Sequence, residues 1–274
     1  MPLIQRHLLL LIALLLVQGI QSCLKAAEKF NEPTDVEFTA ECDGSIQKYV
    51  VMLPKGFDEN QPHAMMIALH GHGSDRWQYA KDPRSECQAA RDVALKFNMV
   101  FVSPDYRAKT SWMGPKAEAD LVQIIAELKS KHKISKAILV GGSMGGSSSL
   151  SFTVLHPNLV DGVVSNNGTA NHLEYEGFQE HIQASYGGFK QEIPLEYKRR
   201  SAEYWPERLT MPIAITTGGK DILVPPESCI RLATVLKKLN PHLLHIHRPQ
   251  GGHSTNYEDV ATALNFVCDL VLKP

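Results

Sequence analysis

The feature that most constrains this chain is a short apolar strand, Ala137 to Val140, that runs without a linker into Gly141-Gly142-Ser143-Met144-Gly145-Gly146. A helical stretch follows to about His156, where Pro157 stops it. Strand, turn and helix in direct succession force a sharp reversal with Ser143 at its tip. Small residues are needed beside that tip because neighbouring side chains would collide. The turn lifts the hydroxyl above the strand end and sets it at a helix N-terminus, where free amides favour negative charge. A glycine-rich phosphate loop is the competing reading. It fails because no Gly-Lys-Ser/Thr follows and no dinucleotide fingerprint is completed.

The rest of the chain alternates in the same way. Strands are expected over Gln47 to Leu53, Ala64 to Leu69 and Met99 to Ser103, at Val163-Val164, and over Ile213 to Thr216 and Leu243 to His247. Helices are expected over Pro83 to Phe97, Glu227 to Leu239 and Tyr257 to Leu272. Another is expected where Leu121, Ile124, Ile125 and Leu128 recur at helical spacing. Such alternation predicts an α/β fold: a mostly parallel sheet with helices on both faces. Ligands in such sheets bind at the carboxyl ends of the strands, where the motifs discussed below all fall. One segment, Thr169 to Leu209, is too long for a plain connection and carries Tyr175, Phe178, Tyr186, Phe189, Tyr197, Tyr204 and Trp205. It reads as a small helical cap; a surface excursion without substrate contact is the alternative.

Composition narrows the partners. A net charge of -1 over 274 residues gives no basic excess to attract phosphate, so nucleic acid is not an expected partner. The pair Arg199-Arg200 reads as a solvated face. Near the N-terminus, Arg6 precedes an unbroken apolar run from Leu8 to Val17. A membrane span needs roughly 18–20 apolar residues, so this reads as a secretory signal over residues 1–26, ahead of one domain over 27–274. The expected location is secreted or periplasmic. Ile20-Gln21-Ser22-Cys23 loosely resembles a bacterial lipoprotein box, so a lipid anchor at Cys23 stays open. Four further cysteines remain, with Cys229 and Cys268 the preferred disulfide pair and four reduced thiols the alternative.

A serine hydroxyl needs a base to become a nucleophile. His253, in Gly251-Gly252-His253-Ser254 after the last strand, is the candidate; His245 and His247 lie within that strand and read as structural. Asp221, directly after a strand in Thr217-Gly218-Gly219-Lys220-Asp221, is the candidate acid to orient the imidazole. Asp161 is the alternative, but it precedes its strand and belongs at the wrong end of the sheet. Developing oxyanion charge needs donors, and the backbone amides of Met144 and His72 are the candidates. His70-Gly71-His72-Gly73 also opens like a metal site, but Asp75 is out of register with that pattern and the closing histidine is missing. No metal or cofactor is expected.

With these motifs the chain resembles the α/β-hydrolase superfamily over nearly all of its length after the leader. The closer likeness is to single-domain esterases and prolyl-oligopeptidase-like catalytic domains. The resemblance rests on His70-Gly71, the Gly141 to Gly146 turn, the stretch from Gly218 to Pro225, and Gly251 to His253, with Asp105-Tyr106-Arg107 and Trp112 as a further similar loop. It implies hydrolysis through an acyl-enzyme. No propeller segment precedes the catalytic stretch in this sequence, so a small-molecule or carbohydrate ester, such as an acetylated or feruloylated sugar, is expected over an oligopeptide. A prolyl-oligopeptidase-like serine peptidase and a non-catalytic binding module of the same fold are the alternatives.

Overall fold

The computed structural model describes residues 29–272, so the leader and Cys23 lie outside the described residues. Eight strands form one sheet in the order β1-β2-β4-β3-β5-β6-β7-β8. They are β1 (Thr34–Thr39), β2 (Ile46–Met52), β3 (His63–Leu69), β4 (Val100–Pro104), β5 (Ile134–Gly142), β6 (Gly162–Asn166), β7 (Ile213–Gly218) and β8 (Leu243–Arg248). The pairs β1–β2 and β2–β4 are antiparallel, and every other neighbouring pair is parallel. The helices among the described residues are α1 (Trp77–Lys81), α2 (Ser85–Lys96), α3 (Pro115–His132), α4 (Met144–Leu155), α5 (Gln179–Tyr186), α6 (Pro194–Arg199), α7 (Glu227–Leu239) and α8 (Tyr257–Leu272).

Strand periodicity divides the core in two. Met65, Ile67, Leu69 and Leu139 face one layer, with apolar positions of α3, α4 and α7. Met66, Ala68, Ile138 and Val140 face the other, with those of α1, α2 and α8. Side chains at successive strand positions point to opposite faces, so strands covered on both sides read as unbroken apolar runs. This is the expected α/β architecture. It also overturns the preferred disulfide pair. Cys229 on α7 belongs to the first layer and Cys268 on α8 to the second, with the sheet between them. All four described cysteines are free thiols, and burial pushes those of Cys87, Cys229 and Cys268 up to about 12. Among the described residues, no helix is long and apolar enough to cross a membrane.

The segment 169–209 holds α5, α6 and two single-turn helices at Ala202–Tyr204 and Pro206–Arg208. Its aromatic residues divide by role. Tyr175, Tyr186 and Tyr197 are buried in the first core layer, whereas Phe189 and Tyr204 are exposed. Arg200 contradicts the reading of a solvated arginine pair, because it is fully buried while Arg199 stays half-exposed. A buried guanidinium must be paired, and this one is. It donates to Glu118 Oε2 at 2.7 Å, Glu196 Oε1 at 2.7 Å and the Met113 carbonyl at 2.6 Å. Glu118 on α3 also receives Arg199 at 3.0 Å and lies 2.8 Å from His156 Nε2. Burial alone would raise the Glu118 carboxyl, but the His156 hydrogen bond and the Arg200 charge outweigh it and hold it at about 2. Helix α3 therefore grips the insertion through one carboxylate.

Removing that carboxylate leaves the buried Arg200 cation with Glu196 as its remaining carboxylate partner. Glu118→Ala is expected to cost about 3–5 kcal/mol, the range for breaking a buried pair by deleting one partner. A urea unfolding midpoint measured at neutral pH checks this. In the parent, a depressed carboxyl stabilises the fold above its unfolded titration range and loses that contribution as pH falls toward about 2. The gap in midpoint between parent and variant should therefore narrow on acidification; a constant gap down to pH 3 would contradict the assignment.

Candidate active site

The site is built at the carboxyl ends of β3, β5, β6, β7 and β8. Ser143 caps α4 with φ 58° and ψ −120°, a left-handed conformation that is costly for a residue with a Cβ and clusters at functional turns. The surrounding backbone imposes it. A Cβ on Gly141 would lie 2.3 Å from the carbonyl carbon of Gly145, one on Gly145 2.0 Å from Leu69 O, and one on Gly146 2.7 Å from Asn166 O. Three chain segments thus meet where no side chain fits. The Ser143 amide donates to Asn166 O at 2.8 Å, fixing the turn to β6.

The other two predicted side chains meet across the ends of β7 and β8. Asp221 Oδ2 lies 2.7 Å from His253 Nδ1, and Asp221 Oδ1 accepts the amides of Leu223 at 3.0 Å and Val224 at 2.9 Å. The carboxylate is buried, with 1% of its side chain exposed, against 28% for the imidazole. Backbone ties hold the two loops together: the Gly219 amide donates to Arg248 O and the Lys220 amide to Gly251 O, each at 2.8 Å. Contact is close enough that a Cβ on Gly218 would lie 2.1 Å from Gly252 O. Ser143 and His253 line one cavity of about 580 Å³, with Gly71, His72, Phe178 and Leu223 among its other walls. Asp161 is at the other end of the sheet, as its position before β6 predicts. Its carboxylate accepts the Ala137 amide and the Lys136 ammonium, each at 2.9 Å.

The glycine-histidine stretch after β3 has a simple division of labour. The Gly71 amide donates to Gln78 Oε1 at 2.7 Å and the Gly73 amide to Lys109 O at 2.8 Å. The His72 amide between them has no acceptor among the described residues. Its imidazole Nδ1 accepts the Trp112 indole N–H at 3.1 Å, and its ring packs 4.2 Å from that of Phe178. His70 is fully buried, with Nδ1 2.9 Å from Gly71 O and Nε2 3.2 Å from Asp105 O. Burial lowers its proton affinity, although both carbonyls act in the opposite sense. His245 and His247 share the Thr217 hydroxyl, 2.9 Å from each.

Sequence reasoning missed Asn166, the last residue of β6, and Asn167, the next one, which line the cavity with Ser143 and His253. Their place at a strand's carboxyl end was the available signal. It also missed the wall formed by Arg84, Ser85 and Glu86 at the start of α2.

The glycines give a sharp contrast to measure. Gly145→Ala drives a methyl group into the Leu69 carbonyl and is expected to cost more than about 4 kcal/mol, or to prevent recovery of folded protein. Gly142→Ala places its Cβ 3.4 Å from the Tyr79 hydroxyl, an ordinary contact. It should keep Tm within about 4 °C of the parent. Thermal melts of both variants check the pair.

The prolyl oligopeptidase family matches residues 106–271. No curated protein matches the chain. Among solved structures, it is similar to puromycin hydrolase, with TM-score 0.69 and 18% identity over 88% of this chain and 39% of that one. It is similar to an esterase of Pyrococcus furiosus, with TM-score 0.62 and 18% identity over 88% of this chain and 93% of the other. It is also similar to an S-formylglutathione hydrolase from Agrobacterium tumefaciens, with TM-score 0.68 and 13% identity over 89% and 99% of the two chains. The chain spans 36% of the length of a matched putative dipeptidyl aminopeptidase IV from Bacteroides ovatus and 39% of that of puromycin hydrolase. At these identities the solved structures establish the fold, and the family match covers more than half of the sequence. The chain belongs to the prolyl oligopeptidase family and has the α/β fold of these hydrolases.

Proposed function

We propose that this protein is an exported serine esterase in which Ser143, His253 and Asp221 form the catalytic triad. The observation that carries the reading is the 2.7 Å contact between His253 Nδ1 and the buried Asp221 carboxylate, in the cavity that Ser143 also lines. A carboxylate on Nδ1 fixes the tautomer that leaves Nε2 free to accept a proton. In the proposed reaction Ser143 Oγ attacks the ester carbonyl as Nε2 takes its proton. The carbonyl oxygen becomes an oxyanion facing the amides of His72 and Met144. Collapse expels the alcohol, which receives the proton from Nε2. Water then attacks the acyl-enzyme with His253 again as base, giving the acid and restoring Ser143.

The lining of the cavity favours a short, polar ester. The cavity walls are mostly glycine, hydroxyl, amide and charged groups, with Phe178 and Leu223 as apolar exceptions. A long acyl chain needs a larger apolar surface than these provide. Acetyl or feruloyl esters of carbohydrates suit such walls, and the apolar leader at Leu8 to Val17 supports export. The competing reading is a serine peptidase, motivated by the family's name.

Ser143→Ala should abolish fluorophosphonate labelling while leaving Tm within a few degrees; equal labelling of both proteins would sink the nucleophile assignment. Asp221→Asn should lower kcat by up to roughly 10⁴-fold while leaving residual turnover, because the oxyanion donors still act. The substrate class is tested by kcat/KM for an acetyl ester, a feruloyl ester, a long-chain ester and a prolyl amide. The short esters should lead; a prolyl amide as best substrate would replace the esterase reading with a peptidase. Export is checked by mass analysis of the protein from culture medium and membranes. A chain beginning near Ala27 is expected, and a diacylated Cys23 at the start would instead mean lipid anchoring.

A further inference from the structure

We infer that Asn167 is a positioning residue that holds the His253 loop in register with Ser143, an inference that rests on the triad proposed above. Asn167 is the first residue beyond β6, and its geometry is specific. It is buried, and its backbone has φ 46°, a left-handed conformation that asparagine tolerates better than most residues. Its amide N–H donates to Thr216 O at 3.0 Å, tying it to β7. Its side-chain oxygen accepts from the Thr216 hydroxyl at 3.3 Å. That contact orients the side chain so that Nδ2 points at the histidine loop, where it donates to the carbonyl of His253 at 2.5 Å and that of Gly252 at 3.3 Å. An amide nitrogen carries two hydrogens, and here it faces two carbonyl oxygens.

The loop needs such a hold. Asp221 grips the imidazole, but a side-chain bond leaves the backbone beneath it free to turn. Gly251 and Gly252 precede His253 and offer no side chains of their own for packing. Flanking ties exist at Gly251 O, which accepts the Lys220 amide at 2.8 Å, and at Thr255, whose hydroxyl lies 3.3 Å from that of Thr216. Among the described residues, Nδ2 of Asn167 is the donor that reaches the carbonyls of Gly252 and His253. Because Ser143 N–H donates to Asn166 O at 2.8 Å, the nucleophile turn and the base loop are both fixed to consecutive residues at the end of β6. Asn167 thus sets the distance between base and nucleophile, a role different from that of Asp221, which sets ring orientation.

Asn167→Asp and Asn167→Gly test this, because both residues accept the left-handed backbone and both remove the donor. With p-nitrophenyl acetate, each variant should lose roughly ten- to hundredfold in kcat with KM within about twofold, as expected for lost transition-state positioning. Asn167→Asp should be the slower, since its carboxylate faces two carbonyl oxygens without a hydrogen between them. Each variant is then combined with His253→Ala. Residues acting through one another are non-additive, so the double variants should fall within about threefold of His253→Ala alone. Full kcat in both variants, or losses that multiply in the double variants, would overturn the positioning role. Fluorophosphonate labelling of wild-type Ser143 is run alongside. Intact labelling with unaffected Asn167 variants overturns this inference alone, whereas failed labelling overturns the triad on which it rests.

Discussion

The structure depends on how closely the backbone of the turn after β5 approaches its neighbours. Leu69 O, Asn166 O and the carbonyl of Gly145 all occupy positions where a methyl group at 145, 146 or 141 would have to sit. The contacts are backbone to backbone, so repacking of side chains cannot relieve them. The consequence is a strained serine whose conformation is set by three strands at once. The strain is sustained because β3, β5 and β6 are central in the sheet and buried on both faces. A site at a sheet edge, with fewer fixed neighbours, would relax.

A second constraint is electrostatic and lies away from the chemistry. The insertion between β6 and β7 is fastened to α3 by a fully buried arginine and one carboxylate. The fastening also reaches the site. Arg200 donates to the carbonyl of Met113, and the neighbouring Trp112 donates its indole N–H to His72. Trp112 and Met113 both have left-handed backbones, at φ 45° and 56°. The insertion holds this turn, and the turn holds the imidazole of the residue whose amide is assigned to the oxyanion. It therefore acts less as a cover than as a buttress: Tyr175, Tyr186 and Tyr197 are core residues, and Phe178 is the side chain from it that lines the cavity.

The parts legible in the sequence are those where one physical cause acts alone. Helices α7 and α8 have the expected bounds because their apolar spacing and flanking turns agree. The buried parallel strands show as apolar runs, and each motif residue falls at a strand end. Legibility fails where causes compete. Strand β1 escapes notice because it is an edge strand with a single buried residue, and its alternation offers two apolar positions alone, Val36 and Phe38. Helix α1 is five residues long, too short for periodicity to register. Arg200 read as surface because a charge is normally solvated, and its partner Glu118 lies 82 residues away. Cys229 and Cys268 looked pairable because both sit on late helices; which face each helix covers is a property of the assembled sheet. The role of Asn167 depends on bonds spanning 85 and 86 residues.

The placement of the proposed acid and base in the loops after the last two strands has a further consequence. Strand β8 is an outer strand, paired on one side alone, and its residues are at most half-buried, with His247 and Arg248 exposed. Hydrogen bonds at such a border open at lower free energy than those at the centre of a sheet. The serine turn belongs to the most protected part of the molecule, and the histidine is carried by one of the least protected. Catalytic competence and global foldedness are therefore separable properties. As denaturant or temperature rises, fraying of one border strand disperses the constellation while the central strands and their strained serine remain native.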